Sequence, residues 1–146
     1  MNISIKSIPH DHQRYETVGD WFYEKDNLTG LRTLNIRVSH MPDWRFILLV
    51  GIHELIEAEL CTYSGISQDK VDAFDLQFEK DHTAGKHSPI EEPGDDVNAP
   101  YYQQHQIATG IERIMAAFLL VDWNEYAETV ESLSKTPHYG AEVPPE

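Results

Sequence analysis

The chain has 146 residues, with 11 Lys and Arg against 25 Asp and Glu, for a net charge of −14. That length suits one domain, and so negative a chain repels a bare phosphate backbone, which argues against direct binding of DNA or RNA. The single cysteine, Cys61, excludes an intrachain disulfide and a cysteine-rich zinc knuckle, so any metal must be held by His, Asp and Glu.

The longest apolar run, residues 46–50, is far below the roughly 18 residues that a membrane span needs. The first 15 residues lack the charged start and apolar stretch of a secretory leader. A cytoplasmic protein with no membrane contact is the expectation.

The first 40 residues read as strands. Ile3, Ile5 and Ile8 alternate in part. Residues 18–25 are rich in aromatic and β-branched side chains, and Asp26-Asn27 with Gly30 marks a hairpin connection. Residues 34–39 alternate, with Leu34, Ile36 and Val38 on one face. The pattern predicts a small three-stranded antiparallel sheet covered on one side. A helix is predicted over residues 43–63, capped by Ser39 or Asp43, with Pro42 near its first turn and Ser64-Gly65 as its stop. Ser67 opens a second helix to about residue 80, with Val71, Phe74, Leu76 and Phe78 as its apolar positions. Residues 81–100 carry three Pro and two Gly and read as a loop. A third helix is expected over 101–120 and a fourth over 122–133, capped by Asp122. The expected class is α+β: one domain over 1–133, with the sheet packed on three to four helices and a disordered tail over 134–146.

The segment Gly51-Ile52-His53-Glu54-Leu55-Ile56-Glu57-Ala58 carries the most chemistry. Helical positions four apart share a face, so His53 and Glu57 project side by side along a stripe that also holds Phe46, Leu49, Val50, Ile56 and Leu60. A carboxylate aimed at apolar surroundings needs a partner. A divalent metal ion is one; a buried arginine or a plain His–Glu hydrogen bond is another. On the third helix His105 shares an inward face with Ala108, Glu112, Met115 and Leu119. On the second, Asp75 lies between Phe74 and Phe78, with Asp72 one turn earlier. Three inward faces thus offer imidazole or carboxylate groups. The candidate ligands are His53, Glu57, His105 and Asp75, for zinc or for manganese or magnesium. Glu54, about 100° round the helix from His53, is either a solvated charge or the base that polarises a water.

Weaker candidates are His10 and His12 near the first strand, and His82 and His87 in the long stretch after the second helix. Glu91-Glu92 and Asp95-Asp96 flank Pro93-Gly94 without the spacing of a calcium loop, so a solvated turn is expected there. Cys61 reads as core.

The His53-Glu54-Leu55-Ile56-Glu57 helix after a small sheet resembles the H-E-x-x-H helix of zincin metalloproteases, over roughly residues 31–63. The resemblance implies His53 as ligand, Glu54 as catalytic base and Glu57 at the second ligand position, where those enzymes have His. The outside ligand is then His105 or Asp75. Glu54-x-x-Glu57 followed by Asp72-x-x-Asp75 resembles MazG-like nucleotide pyrophosphohydrolases, over residues 54–75. That implies an all-α fold and magnesium-held triphosphate, with Arg45, Lys70 and Arg113 the nearest phosphate grips and Asp in place of the family's third Glu. A third expectation is a non-enzymatic acidic protein that occupies a basic surface on a partner. The substrate and the oligomeric state are not legible at this level.

Overall fold

Leu34, Ile36 and Val38 are sealed from solvent, at 0%, 1% and 0% exposure. They form the inward face of β3 (Arg32–Ser39), the central strand of a three-stranded sheet in a computed structural model that describes residues 1–136. β2 (Gly19–Lys25) pairs antiparallel with β3, placing Trp21 opposite Ile36 and Tyr23 opposite Leu34. The hairpin between them turns at Asp26, whose carboxylate accepts the backbone N–H groups of Leu28 and Thr29.

β1 (Asn2–Ile8) pairs with the other edge of β3, in parallel, with Ile3 opposite Leu34 and Ile5 opposite Ile36. The sheet is therefore mixed, in order β1-β3-β2, and the expectation of an antiparallel sheet is corrected. The reason is the connection. Residues 9–18, with a 3-10 turn at His10–His12, carry the chain across about two strand spacings, roughly 10 Å, and β3 then enters between the two earlier strands. Buried Gln13 pins this crossover by donating to the Val18 carbonyl at 2.8 Å, and His10 Nδ1 meets Ser39 Oγ at 2.8 Å.

Four helices complete an α+β architecture. α1 (Trp44–Tyr63) is capped by Asp43, whose carboxylate accepts the Arg45 N–H at 2.9 Å. It lays Phe46, Leu49 and Val50 into the core beneath the sheet. α2 (Gln68–Thr83) follows the Ser64-Gly65 stop and runs three residues beyond the predicted end. α3 (Tyr102–Phe118) lies antiparallel to α1: Arg45 reaches the Leu119 carbonyl at one end (3.2 Å) and Gln104 reaches Ser64 at the other (3.0 Å). Buried Ala58, Cys61, Ala108 and Ala116 are small, which lets the two helices approach closely. α4 (Trp123–Ser134) is capped by Asp122 and sets Tyr126 edge-on against Phe46. The predicted tail starts inside this helix at Ser134; its residues 137–146 lie outside the described residues. Among the described residues no helix is long and apolar enough to cross a membrane.

Candidate metal centre

α1 turns the His53–Glu57 face toward α3, which answers with His105 and, two turns on, Glu112. All four are buried, at 8%, 6%, 5% and 6% exposure. Three donor atoms converge. His53 Nε2 lies 3.2 Å from His105 Nδ1 and 3.4 Å from Glu57 Oε2, and the last two are 2.8 Å apart. Ligands bound about 2.0–2.1 Å from a tetrahedral ion sit about 3.3 Å from one another, so the triangle has the size of one face of a coordination sphere.

The atoms facing away from this triangle are also held. His53 Nδ1 meets Glu112 Oε2 at 2.9 Å. A carboxylate accepts from an N–H, so a neutral His53 ring bonded this way carries its proton on Nδ1 and turns the Nε2 lone pair to the centre. The hydroxyl of Tyr126 on α4 donates to the other Glu112 oxygen. Trp21 on β2 donates its indole N–H to Glu57 Oε1 at 2.9 Å, leaving Oε2 to the triangle. His105 Nε2 faces Asp95 Oδ1 at 3.4 Å and Glu92 Oε2 at 3.8 Å. Imidazoles whose outer nitrogens are held by carboxylates are the arrangement that orients metal ligands.

Two glycines make the enclosure possible. A Cβ on Gly94, in the 3-10 turn Pro93–Asp95, would lie 2.3 Å from the His105 ring. One on Gly19, at the head of β2, would lie 2.3 Å from Glu54 Oε1 and 2.6 Å from Val50. The turn can cover the imidazole, and β2 can approach α1, because neither position has a side chain.

Without an ion the same atoms must share protons. Burial works against charge on His105, but hydrogen bonds to Asp95 and Glu57 outweigh it and raise its pKa to about 10. His53 moves the same way: burial opposes its charge, and Glu112 and Glu57 prevail. Glu57 is lowered to about 2, because the bonds from His105 and His53 overcome its burial. Two imidazolium ions beside Glu57 and Glu112 carry the same net charge as a divalent ion with two neutral imidazoles. Two protons on the imidazoles and one divalent cation would therefore leave the group with the same charge.

The triangle opens on a cavity of about 830 Å³ between β2, α1, α2, α3 and α4. Glu54 lines it beside the three converging donors. Its carboxyl is pushed well above the usual carboxylate range, first by burial and then by the Glu57 charge. Asp75 lines the same cavity from α2 but lies outside the converging group. It accepts a hydrogen bond from the Tyr101 hydroxyl, and burial raises it to about 8. Asp72, also on the wall, stands 3.8 Å from Arg14, which grips Asp20 with two bonds of 2.6 and 2.9 Å.

The remaining candidates stand outside the converging group, although His82 lines the same cavity. His10 and His12 belong to the crossover turn rather than to a strand. His82 pairs with Glu16 at 2.9 Å. His87 groups with Glu91 and Asp96 in the loop, partly exposed. Cys61 is buried among α1 and α3, and burial pushes its thiol up to about 12, out of the range of a nucleophile.

Trp21 and Tyr126 are not singled out by sequence, and Gly94 and Asp95 are read there only as parts of a solvated turn. The Pro93-Gly94 turn reads as a solvated acidic turn, yet it is the lid over His105. No family model, curated protein or solved structure matches the chain.

Proposed function

We propose that the chain is a metal-dependent hydrolase that holds one divalent ion through His53 Nε2, Glu57 Oε2 and His105 Nδ1. Two histidines and one glutamate with an open fourth position form a donor set that suits catalytic zinc. The observation that carries the reading is the triangle of 2.8, 3.2 and 3.4 Å edges whose outward atoms are each met by Trp21, Glu112 or Asp95. When bound, the ion supplies Lewis acidity toward a water or a carbonyl oxygen.

The chain's own residues supply the rest. Glu112 and Asp95 keep the two imidazoles in the tautomers that present lone pairs. Trp21 holds Glu57 so that one oxygen points inward. Glu54 stands one residue along the helix at the cavity wall, and its raised pKa suits it to take a proton from water near neutral pH and return it to a leaving group. Glu54, Glu57, Asp72 and Asp75 do line one cavity, as the pyrophosphohydrolase resemblance implies, but among the described residues its lining holds one lysine and no arginine to grip phosphates.

The test joins metal content to chemistry. Purified protein is expected to hold about one zinc per chain, and Glu54→Gln to keep that ion while losing hydrolysis by about 10²- to 10⁴-fold. Protein that takes up no divalent ion removes the reading. Glu54→Gln with full hydrolytic activity removes Glu54 as the base.

A further inference from the structure

α3 has two faces. One turns His105, Ala108, Glu112 and Ala116 inward. The other is apolar and open to water: Ile107, Ile114 and Phe118 are 52%, 70% and 83% exposed. Positions 107, 110, 114 and 117 (Ile, Gly, Ile, Ala) follow the three-four spacing of a helix that packs on another helix. Among the described residues a Cβ on Gly110 would meet nothing within 4 Å, so a second backbone can come close there.

The end of the helix extends this face. Leu120 follows α3 with φ 55, in the left-handed region that glycine fills at many helix ends. Leucine bears a steric cost there, yet its side chain is 85% exposed. Four large apolar side chains along one helix and its end form a patch, unlike apolar residues scattered singly.

Charge and spacing say what covers it. The chain carries a net charge of −14, so two copies repel one another across most of their surfaces. Along α3 the acidic residue is Glu112, which is buried, and the guanidinium of Arg113 lies over the Trp123 ring at 4.6 Å. A second copy can therefore meet this face without opposing like charges, whereas a basic partner would find no carboxylate on it. A two-fold axis sets residue i of one copy against j of the other, and j against i. Gly110 lies midway between Ile107 and Ile114, so antiparallel helices that cross there set each Ile107 against the other copy's Ile114. At up to about 200 Å² for a large side chain, the four apolar residues offer a pair roughly 1,000 Å², the size at which interfaces become specific.

We propose that two copies of this chain associate through the exposed face of α3, antiparallel about a two-fold axis at Gly110. The inference does not rest on the hydrolase reading, although the pairing braces the helix that carries His105 and Glu112.

The test is sedimentation equilibrium of the full-length protein over a range of concentrations, with and without zinc. A reversible dimer is expected, with a dissociation constant of about 10–100 μM. Ile114→Glu is expected to weaken it at least about a hundredfold while the circular dichroism of the fold is kept. Leu28→Glu, at a side chain 97% exposed in the β2–β3 hairpin, should change it by less than about twofold. Joining Ile107→Lys to Ile114→Glu in one chain should recover at least about tenfold of the loss, because the two-fold axis sets the opposite charges face to face. If Ile114→Glu does not fold, Phe118→Ser takes its place, with a loss of about tenfold. A protein that stays monomeric up to about 1 mM, or a dimer that these variants leave intact, overturns the inference. A double variant that associates no better than Ile114→Glu alone overturns the antiparallel arrangement.

Discussion

Two sets of one or two histidines and carboxylates can be laid side by side in this molecule. One is His53, Glu57 and His105 between α1 and α3; the other is His87, Glu91 and Asp96 in the loop after α2. The residue types are nearly the same, and in both a histidine and a glutamate stand four positions apart, at 3.4 Å. They differ in what holds them. The loop set is partly exposed, its histidine lies flat on Phe78 with ring centres 4.0 Å apart, and Asp96 spends its carboxylate on the backbone and side chain of Asn98. In the buried set the partners of each donor residue come from other elements: Trp21 from β2, Glu112 from α3, Asp95 from the turn. Donor identity alone therefore does not make a site. On the proposed reading, orientation enforced from outside does, because an ion gains from donors that are already in place.

That contrast is broken most easily at the ligands. His53→Ala or His105→Ala is expected to weaken divalent-ion binding by more than about a hundredfold, beyond what loss of an outer partner costs. His87→Ala should leave affinity within about twofold. Competition against a chromogenic chelator reads both, and an unaffected His53→Ala paired with a damaged His87→Ala would reverse the assignment.

The next largest effect is on protons. His105 in the ion-free protein is raised to about 10 and His53 also moves up, both from an ordinary value of about 6.5. His105 is therefore charged at neutral pH and His53 is shifted the same way, so ion uptake should release at least one and at most about two protons near pH 7, and fewer as the pH passes about 10. The stabilisation that charged His105 contributes to the ion-free fold is complete below about 6.5 and lost as the pH rises through about 10. Calorimetry in buffers of different ionisation enthalpy counts the protons; uptake with none released at neutral pH contradicts the shared-proton description.

Glu112→Gln comes third. It keeps an acceptor for His53 Nδ1 but removes the charge, and second-partner changes of this kind cost about 10- to 100-fold in metal affinity. An unchanged affinity would show that Glu112 fills space rather than orients His53.

Much of this was legible before any coordinates. Asp43 and Asp122 announce helix starts, Ser64-Gly65 a stop, and the alternation of Leu34, Ile36 and Val38 a half-buried strand, because each depends on neighbours in sequence. The order of the sheet was not, since the β1–β3 pairing joins residues some thirty positions apart and nothing local marks it. His53, Glu57 and His105 were readable from helical faces. Asp75 was readable by the same argument, yet it stands outside the converging group, because a face gives a direction and not a distance. The role of Gly94 was hidden more deeply. Its meaning depends on the His105 ring lying where a Cβ would be, and a turn of Pro, Gly and acids looks the same whether it covers a histidine or faces water. Trp21 was hidden by the same kind of dependence, since its indole reaches Glu57 only through the placement of β2 against α1.

The smallest effect separates orientation from packing. Tyr126 on α4 touches no ligand; it donates to Glu112, which in turn holds His53. Tyr126→Phe keeps the ring on Phe46 and removes only the hydroxyl, leaving a buried carboxylate oxygen short of a donor, which costs about 1–3 kcal/mol of stability. Glu112 still has its second oxygen on His53, so ion affinity should fall by less than it does in Glu112→Gln, and by under about tenfold. If the chain of three acts as a unit, binding the ion should recover part of the lost thermal stability, since the ion fixes His53 and His53 fixes Glu112. Equal losses of melting temperature with and without zinc would mean that α4 serves the core alone and that support for the centre ends at Glu112.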